Sequence, residues 1–127
     1  MANKHIIKLS DTEAVLKIYI TASAGGTVDI DLEDDLTAPT QTFLGNPDVG
    51  IQEIHWGAKK DKQIDVTRVV PSDPSGVHGH YYLLNTGSYK FVGFVDNVYS
   101  SRNIRIVGDG PFHVLIKLRK TSGWTNL

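Results

Sequence analysis

The sequence predicts an all-β fold, an antiparallel β-sandwich or jelly roll of about eight or nine strands, on three observations. Apolar and polar residues alternate with period two in segment after segment. Gly, Pro, Asn and Asp punctuate those segments at short intervals. No stretch carries a convincing helical period. Successive side chains of a strand point to opposite faces, so the alternation marks sheets with one dry face and one wet face. At 127 residues the chain reads as a single sandwich domain over residues 1–127, large enough to bury a core without disulfides or metal.

The elements follow in order. Met1 to Ser10 is a polar start outside the strand pattern and reads as an N-terminal arm, free to order against a partner. Ala14 to Ala22 holds Val15, Leu16, Ile18, Tyr19 and Ile20, a β-branched and aromatic run that reads as a strand ending at Ala24-Gly25-Gly26. A helix over Asp11 to Ile20, capped by Asp11, ranks second. From Gly26 to Asp34, Val28, Ile30 and Leu32 alternate with Thr27, Asp29, Asp31 and Glu33, the pattern of an extended strand. Asp34 to Gly50 carries two prolines and two glycines and predicts a long loop with one short edge strand around Gln41 to Leu44.

Ile51 to Trp56 and Gln63 to Val70, separated by GAKKDK, predict a hairpin whose tip bears Lys59, Lys60, Asp61 and Lys62. Pro71 to Gly79 has the composition of an irregular surface loop. Four further strands are expected at His80 to Leu84, Lys90 to Val95, Asn103 to Val107 and Phe112 to Lys120, with Gly108-Asp109-Gly110-Pro111 as a hairpin turn. Residues 121–127 remain as a C-terminal tail. Trp56, Ile54, Ile64, Val66, Leu115 and Leu118 are core candidates, although Leu115 and Leu118 have opposite strand parity and cannot share a layer.

Composition narrows the function classes. Thirteen basic and fourteen acidic residues leave a net charge of −1, so no global field draws in nucleic acid or an anionic membrane. No cysteine is present, which removes disulfides and thiolate zinc sites. The first twenty residues lack a continuous apolar run, and neither a signal peptide nor a membrane span is expected.

Histidines are the first candidates for chemistry. His78 and His80 stand two residues apart, with His55 and His113 in other strands, and an H-x-H pair on a jelly roll suggests a cupin-like metal site. Tyr81-Tyr82-Leu83-Leu84-Asn85 follows where the third ligand, a glutamate, would stand. No metal is therefore expected. Asp29, Asp31, Glu33, Asp34 and Asp35 are dense enough for Ca²⁺, but an extended strand would set them in a row instead of a cage. That row reads as a solvated face, or as a negative stripe meeting a basic surface on a partner, which Lys59, Lys60, Lys62, Lys117, Arg119 and Lys120 of a neighbouring copy would supply. There is no G-x-S-x-G elbow, no phosphate-binding loop and no evident carboxylate pair. Catalytic residues and cofactors are expected to be absent. Trp56 shares a strand face with Ile54 and reads as core, whereas Trp124 either caps the sandwich or inserts into a partner.

Read together, KLSDTEAVLKI, IQEIHWGAKKDKQIDVTR and GFVDNVYSSRNIRIVGDGPFHVLIKLRKTSGW resemble a family of small virion structural proteins of tailed bacteriophages of marine and cyanobacterial hosts. The resemblance spans most of the chain. It is most specific at Gly93 to Asn97, at Gly108 to Phe112 and at Leu118 to Trp124, and it departs from the family over PSDPSGVHGHYY, where a short hairpin is expected. It implies a non-enzymatic particle component, in particular a capsid decoration (cement) protein. The implied partner is the major capsid protein, with self-association as a homotrimer, at the capsid surface of the virion and in the host cytoplasm during assembly. A tail, neck or baseplate component is the nearest variant. A carbohydrate- or host-binding module, using Trp56, Tyr81, Tyr82, Tyr89, Tyr99 and Trp124, ranks next, and a cupin-like enzyme on His78 and His80 last.

Overall fold

The computed structural model describes residues 2–43, 47–70, 73–92, 96, 102–121 and 124–126. These form eleven strands and one short helix: β1 (Ala2–Leu9), β2 (Glu13–Ile20), β3 (Gly26–Ile30), α1 (Leu32–Leu36), β4 (Gln41–Phe43), β5 (Val49–Ala58), β6 (Gln63–Val70), β7 (Asp73–Leu84), β8 (Thr86–Lys90), β9 (Asn103–Gly108), β10 (Phe112–Lys120) and β11 (Trp124–Asn126). Five strands make one antiparallel sheet in the order β1-β2-β10-β5-β8, and four make a second in the order β3-β9-β6-β7. A two-stranded ribbon of β11 and β4 stands apart.

The pairings are nested. β6 pairs with β7, β5 with β8, β3 with β9 and β2 with β10, all antiparallel. The chain thus doubles back as one long hairpin whose successive pairs fall in alternate sheets. This is jelly-roll topology, with β1 added beside β2. It also explains where local reading of the turns fails. β5 and β6 lie in different sheets, so GAKKDK is a corner and not a hairpin tip, and the same holds for Gly108 to Pro111 between β9 and β10. Two-residue alternation reports the facing of a strand but not its neighbour.

The strands bury what their alternation promises. Leu16, Ile18, Val114 and Ile116 of the first sheet meet Ile30, Ile64, Val66, Ile104 and Ile106 of the second in one apolar core. Ile54 and Leu118 join them, while Leu115 faces outward, as its opposite parity demands. The β2–β3 turn depends on Gly25: its φ is +77°, and a Cβ there would fall 2.0 Å from the Gly108 carbonyl oxygen.

Several expectations are corrected. The segment from Met1 to Ser10 is no free arm, because β1 pairs with β2 along its length through a bulge between Ile6 and Lys8. As an edge strand it leaves Ile6 and Ile7 45% and 58% exposed, which hid its strand character. In the tail over residues 121–127, Trp124–Asn126 pairs with Gln41–Phe43. The strand expected to run from Gly26 to Asp34 ends at Ile30. Asp31 accepts from the backbone N–H groups of Glu33 and Asp34 and caps α1, so Leu32 and Leu36 are buried by helical instead of strand spacing. Asp73 to Gly79, expected as loop, belongs to β7; where Lys90 to Val95 is expected as a strand, β8 instead ends at Lys90, and Gly93 to Val95 lie outside the described residues. Leu44, Pro71 and Ser72 lie outside the described residues.

Candidate functional site

β7 and β8 are both edge strands, and the chain passes from one to the other through Asn85, which adopts φ 58°. Beside them, at the seam where the two sheets meet, aromatic side chains cluster. Trp56 and Tyr89 have ring centroids 5.2 Å apart, Tyr89 and Tyr81 5.8 Å, and Tyr89 and Phe91 6.5 Å. Register accounts for the grouping. Tyr89 pairs with Ile54 and Gly87 with Trp56, so the core-facing side of β5 continues onto β8. A Cβ on Gly87 would lie 2.7 Å from Trp56 Cζ2; glycine there lets the indole lie against the strand. The indole Nε1 donates to the Leu84 carbonyl at 3.1 Å, which fixes its orientation.

Trp56, Tyr81 and Phe91 pack against the core, and Tyr89 is the member that reaches the surface. Tyr89 is 43% exposed and Val92 80%, and around the edge of β7 Tyr82 and Leu84 face out at 60% and 56%. Large apolar groups gathered at one edge are the ordinary chemistry of a contact surface.

A buried polar network sits beneath it. Arg68, on β6, is 2% exposed and donates to the carbonyls of Val49 at 2.8 Å and Arg102 at 3.0 Å. The Tyr81 hydroxyl donates to the Asp96 carboxylate, and Asp96 forms a two-way backbone bridge with Ile51 at 2.9 Å. Burial lowers the Arg68 guanidinium to about 10, partly offset by the charges of Asp96 and Asp48. Burial, and then the bond to Asp96, pushes the Tyr81 phenol upward, so the hydroxyl stays protonated and donating. Such a network rigidifies the Tyr81 end of the seam.

The other candidates disperse. Asp29 takes a two-pronged contact from Arg105 at 2.8 and 3.2 Å, which raises the guanidinium pKa. Asp35 binds Lys4 at 2.6 Å and Asp31 caps the helix, so the acids form neither a row nor a cage. Nor do the basic residues share one surface. Lys117 and Arg119 stand on the outer face of the five-stranded sheet, while Lys120 points inward, bonded to Gln41 and 4.5 Å from the Trp124 ring. Trp124 donates to the Asp48 carbonyl at 2.9 Å and caps the sandwich. His55 contacts Glu53 at 3.2 Å and lowers that carboxyl's pKa. The backbones of His78 and His80 lie in β7, but their side chains, and all of Tyr99, are outside the described residues. Among the described residues no group of three or more His, Asp or Glu could hold a metal ion.

Of the six aromatic residues singled out from sequence, Trp56, Tyr81 and Tyr89 meet in the seam. Phe91 and Arg68 are additions that sequence reading missed. Phe91 follows Tyr89 at strand spacing and was open to recognition. Arg68 interrupts an apolar run, VTRVV, and a lone charge there carries no local sign of burial. No helix of the described residues is long and apolar enough to cross a membrane. Comparison with protein-family models, characterised proteins and solved structures returned no match.

Proposed function

We propose that the chain is a non-enzymatic structural protein of a tailed-bacteriophage particle, a decoration protein that binds the assembled lattice of the major capsid protein and stabilises it. The observation that carries this reading is the aromatic seam of Trp56, Tyr81, Tyr89 and Phe91, braced by Arg68 and Asp96. Tyr and Trp held rigidly at an edge bury large area at small entropic cost, as anchors of protein interfaces do. Repetition over a shell multiplies modest single contacts. The jelly roll suits the role, since its sheets are filled by apolar side chains and its chemistry is displayed at edges and corners. The family resemblance of the C-terminal third points the same way. Trimers at local three-fold positions on the capsid belong to the same proposal.

A carbohydrate- or host-binding module is the second reading, favoured by the convergence of Trp56, Tyr81 and Tyr89, because aromatic faces also stack on sugar rings. Purified protein mixed with capsids lacking it separates the two. Decoration predicts co-sedimentation with the shells, abolished by Tyr89→Ala; the second reading predicts no co-sedimentation and binding of neutral oligosaccharides.

A further inference from the structure

The outer face of the five-stranded sheet divides into two halves of different chemistry. Along its lower rows the carboxylates of Glu13 and Glu53 are paired with basic side chains. Lys8 bonds Glu13, Lys117 lies 3.6 Å from Glu13 and 3.7 Å from Glu53, and Glu53 meets His55. Along the upper rows the register sets His5 beside Lys17 and Tyr19 beside His113, followed by Gly57 and Thr86. None of those side chains is acidic. Among the described residues Lys17 forms no ion pair, whereas Lys4, Lys8 and Lys117 each have a carboxylate.

Two adjoining open concavities occupy this half. One, of about 580 Å³, is lined by His5, Lys17, Tyr19 and His113. The other, of about 550 Å³, shares His113 and reaches Lys59, Thr21 and Thr86. The groups between them are ordered. The His5 and Tyr19 rings stack at 5.7 Å with planes 10° apart, and the Lys17 ammonium lies 5.9 Å from the Tyr19 centroid. His113 rests on Gly57, where a Cβ would come within 2.3 Å of its Cε1, so a glycine on the adjacent strand makes the imidazole's seat.

The geometry points to a binding groove for an acidic oligosaccharide, one bearing carboxylate or sulfate groups. Lys17 and the imidazole N–H groups of His5 and His113 donate to the anionic oxygens. The second concavity continues the path with the hydroxyls of Thr21 and Thr86, the ammonium of Lys59, and the apolar surface of Pro111 and Phe112 for a sugar ring. Size and openness suit an extended polymer better than an enclosed metabolite. His5, Lys17, Tyr19 and His113 lie on β1, β2 and β10, away from the β8 edge, whereas the second concavity reaches Thr86 at the start of β8.

Calorimetric titration of the full chain tests it with four probes: hexagalacturonate, a heparin hexasaccharide, neutral maltohexaose and a short oligothymidylate. Binding of the first tells of carboxylate recognition and of the second of sulfate recognition, and either supports the groove if maltohexaose does not bind. Lys17→Ala, an exposed change, weakens that binding roughly tenfold, the loss expected for one charge-assisted hydrogen bond. Gly57→Ala weakens it as well by unseating His113, with the fold of both variants checked by thermal melting. The inference is overturned if neither acidic saccharide binds, if maltohexaose binds equally well, if oligothymidylate binds more tightly than both, or if Lys17→Ala leaves affinity unchanged.

Discussion

Arg68 Nη2, on the four-stranded sheet, donates to the carbonyl oxygen of Val49, on the five-stranded sheet, at 2.8 Å. The bond crosses the interior of the sandwich. The same guanidinium reaches Arg102, just before β9, so one buried side chain ties both sheets to the crossing between β8 and β9. Removing one member of a buried charged network leaves its partners desolvated and unpaired, at a cost of about 3–5 kcal/mol. Arg68→Ala is expected to lose that much in urea unfolding, and Tyr81→Phe about 1–3 kcal/mol. An Arg68→Ala protein as stable as the parent would show that the network does not brace the fold.

Gly87 and Trp56 give a second expectation. A methyl group at residue 87 would collide with the indole, so Gly87→Ala displaces Trp56 from the seam and breaks its bond to Leu84. Trp56→Ala is expected to cost about 3 kcal/mol, the lower part of the range for large aromatic truncations, because the ring is half-buried. Tryptophan emission should shift to the red in Gly87→Ala, and unchanged emission would place the indole elsewhere.

Lys120 sets a pH dependence. Burial lowers its ammonium from 10.5 to about 8, against a smaller opposing effect of Asp11. Between those values the unfolded chain holds a proton that the folded chain has released, so stability rises with pH across the window. The urea midpoint should rise between about pH 8 and about pH 10 in the parent and rise less in Lys120→Met. Equal rises in both proteins would assign the effect to another group.

Deletion of Met1 to Ser10 is expected to harm the fold itself. It strips β1 from β2, exposes the backbone groups of a long apolar strand, and removes the Lys4–Asp35 and Lys8–Glu13 pairs. Lower melting temperature and aggregation are the expected readings. A truncated protein that melts as the parent does would restore the segment to the status of an arm.

The difference between β2 and β1 shows how much of this fold was legible. β2, β9 and β10 lie inside their sheets with one side dry, and Leu16, Ile18, Ile104, Ile106, Val114 and Ile116 announce it by alternation. β1 and β8 are edges, β8 is exposed along its whole length, and their residues carry no such period. Pairing was illegible for another reason: jelly-roll neighbours are set by long-range nesting, so Ile51–Trp56 and Gln63–Val70 look like a hairpin yet enter different sheets. Asp31 could be read as a cap only by weighing helix against the alternation of Val28, Ile30 and Leu32. In the seam, Trp56, Tyr81 and Tyr89 were visible as aromatics but not as a cluster, because the contact forms across two sheet edges. The His5, Lys17, Tyr19 and His113 groove was invisible for the same reason, being assembled by the registers of three strands.

Particle imaging of capsid shells reconstituted with the protein decides whether the aromatic seam docks it on the lattice, as proposed. Decoration predicts density at a fixed, symmetry-set copy number on the shell, with the β7–β8 edge facing the lattice, a higher rupture temperature for decorated shells, and loss of the density with Tyr89→Ala. Undecorated shells at saturating protein, or density confined to the tail, would contradict it.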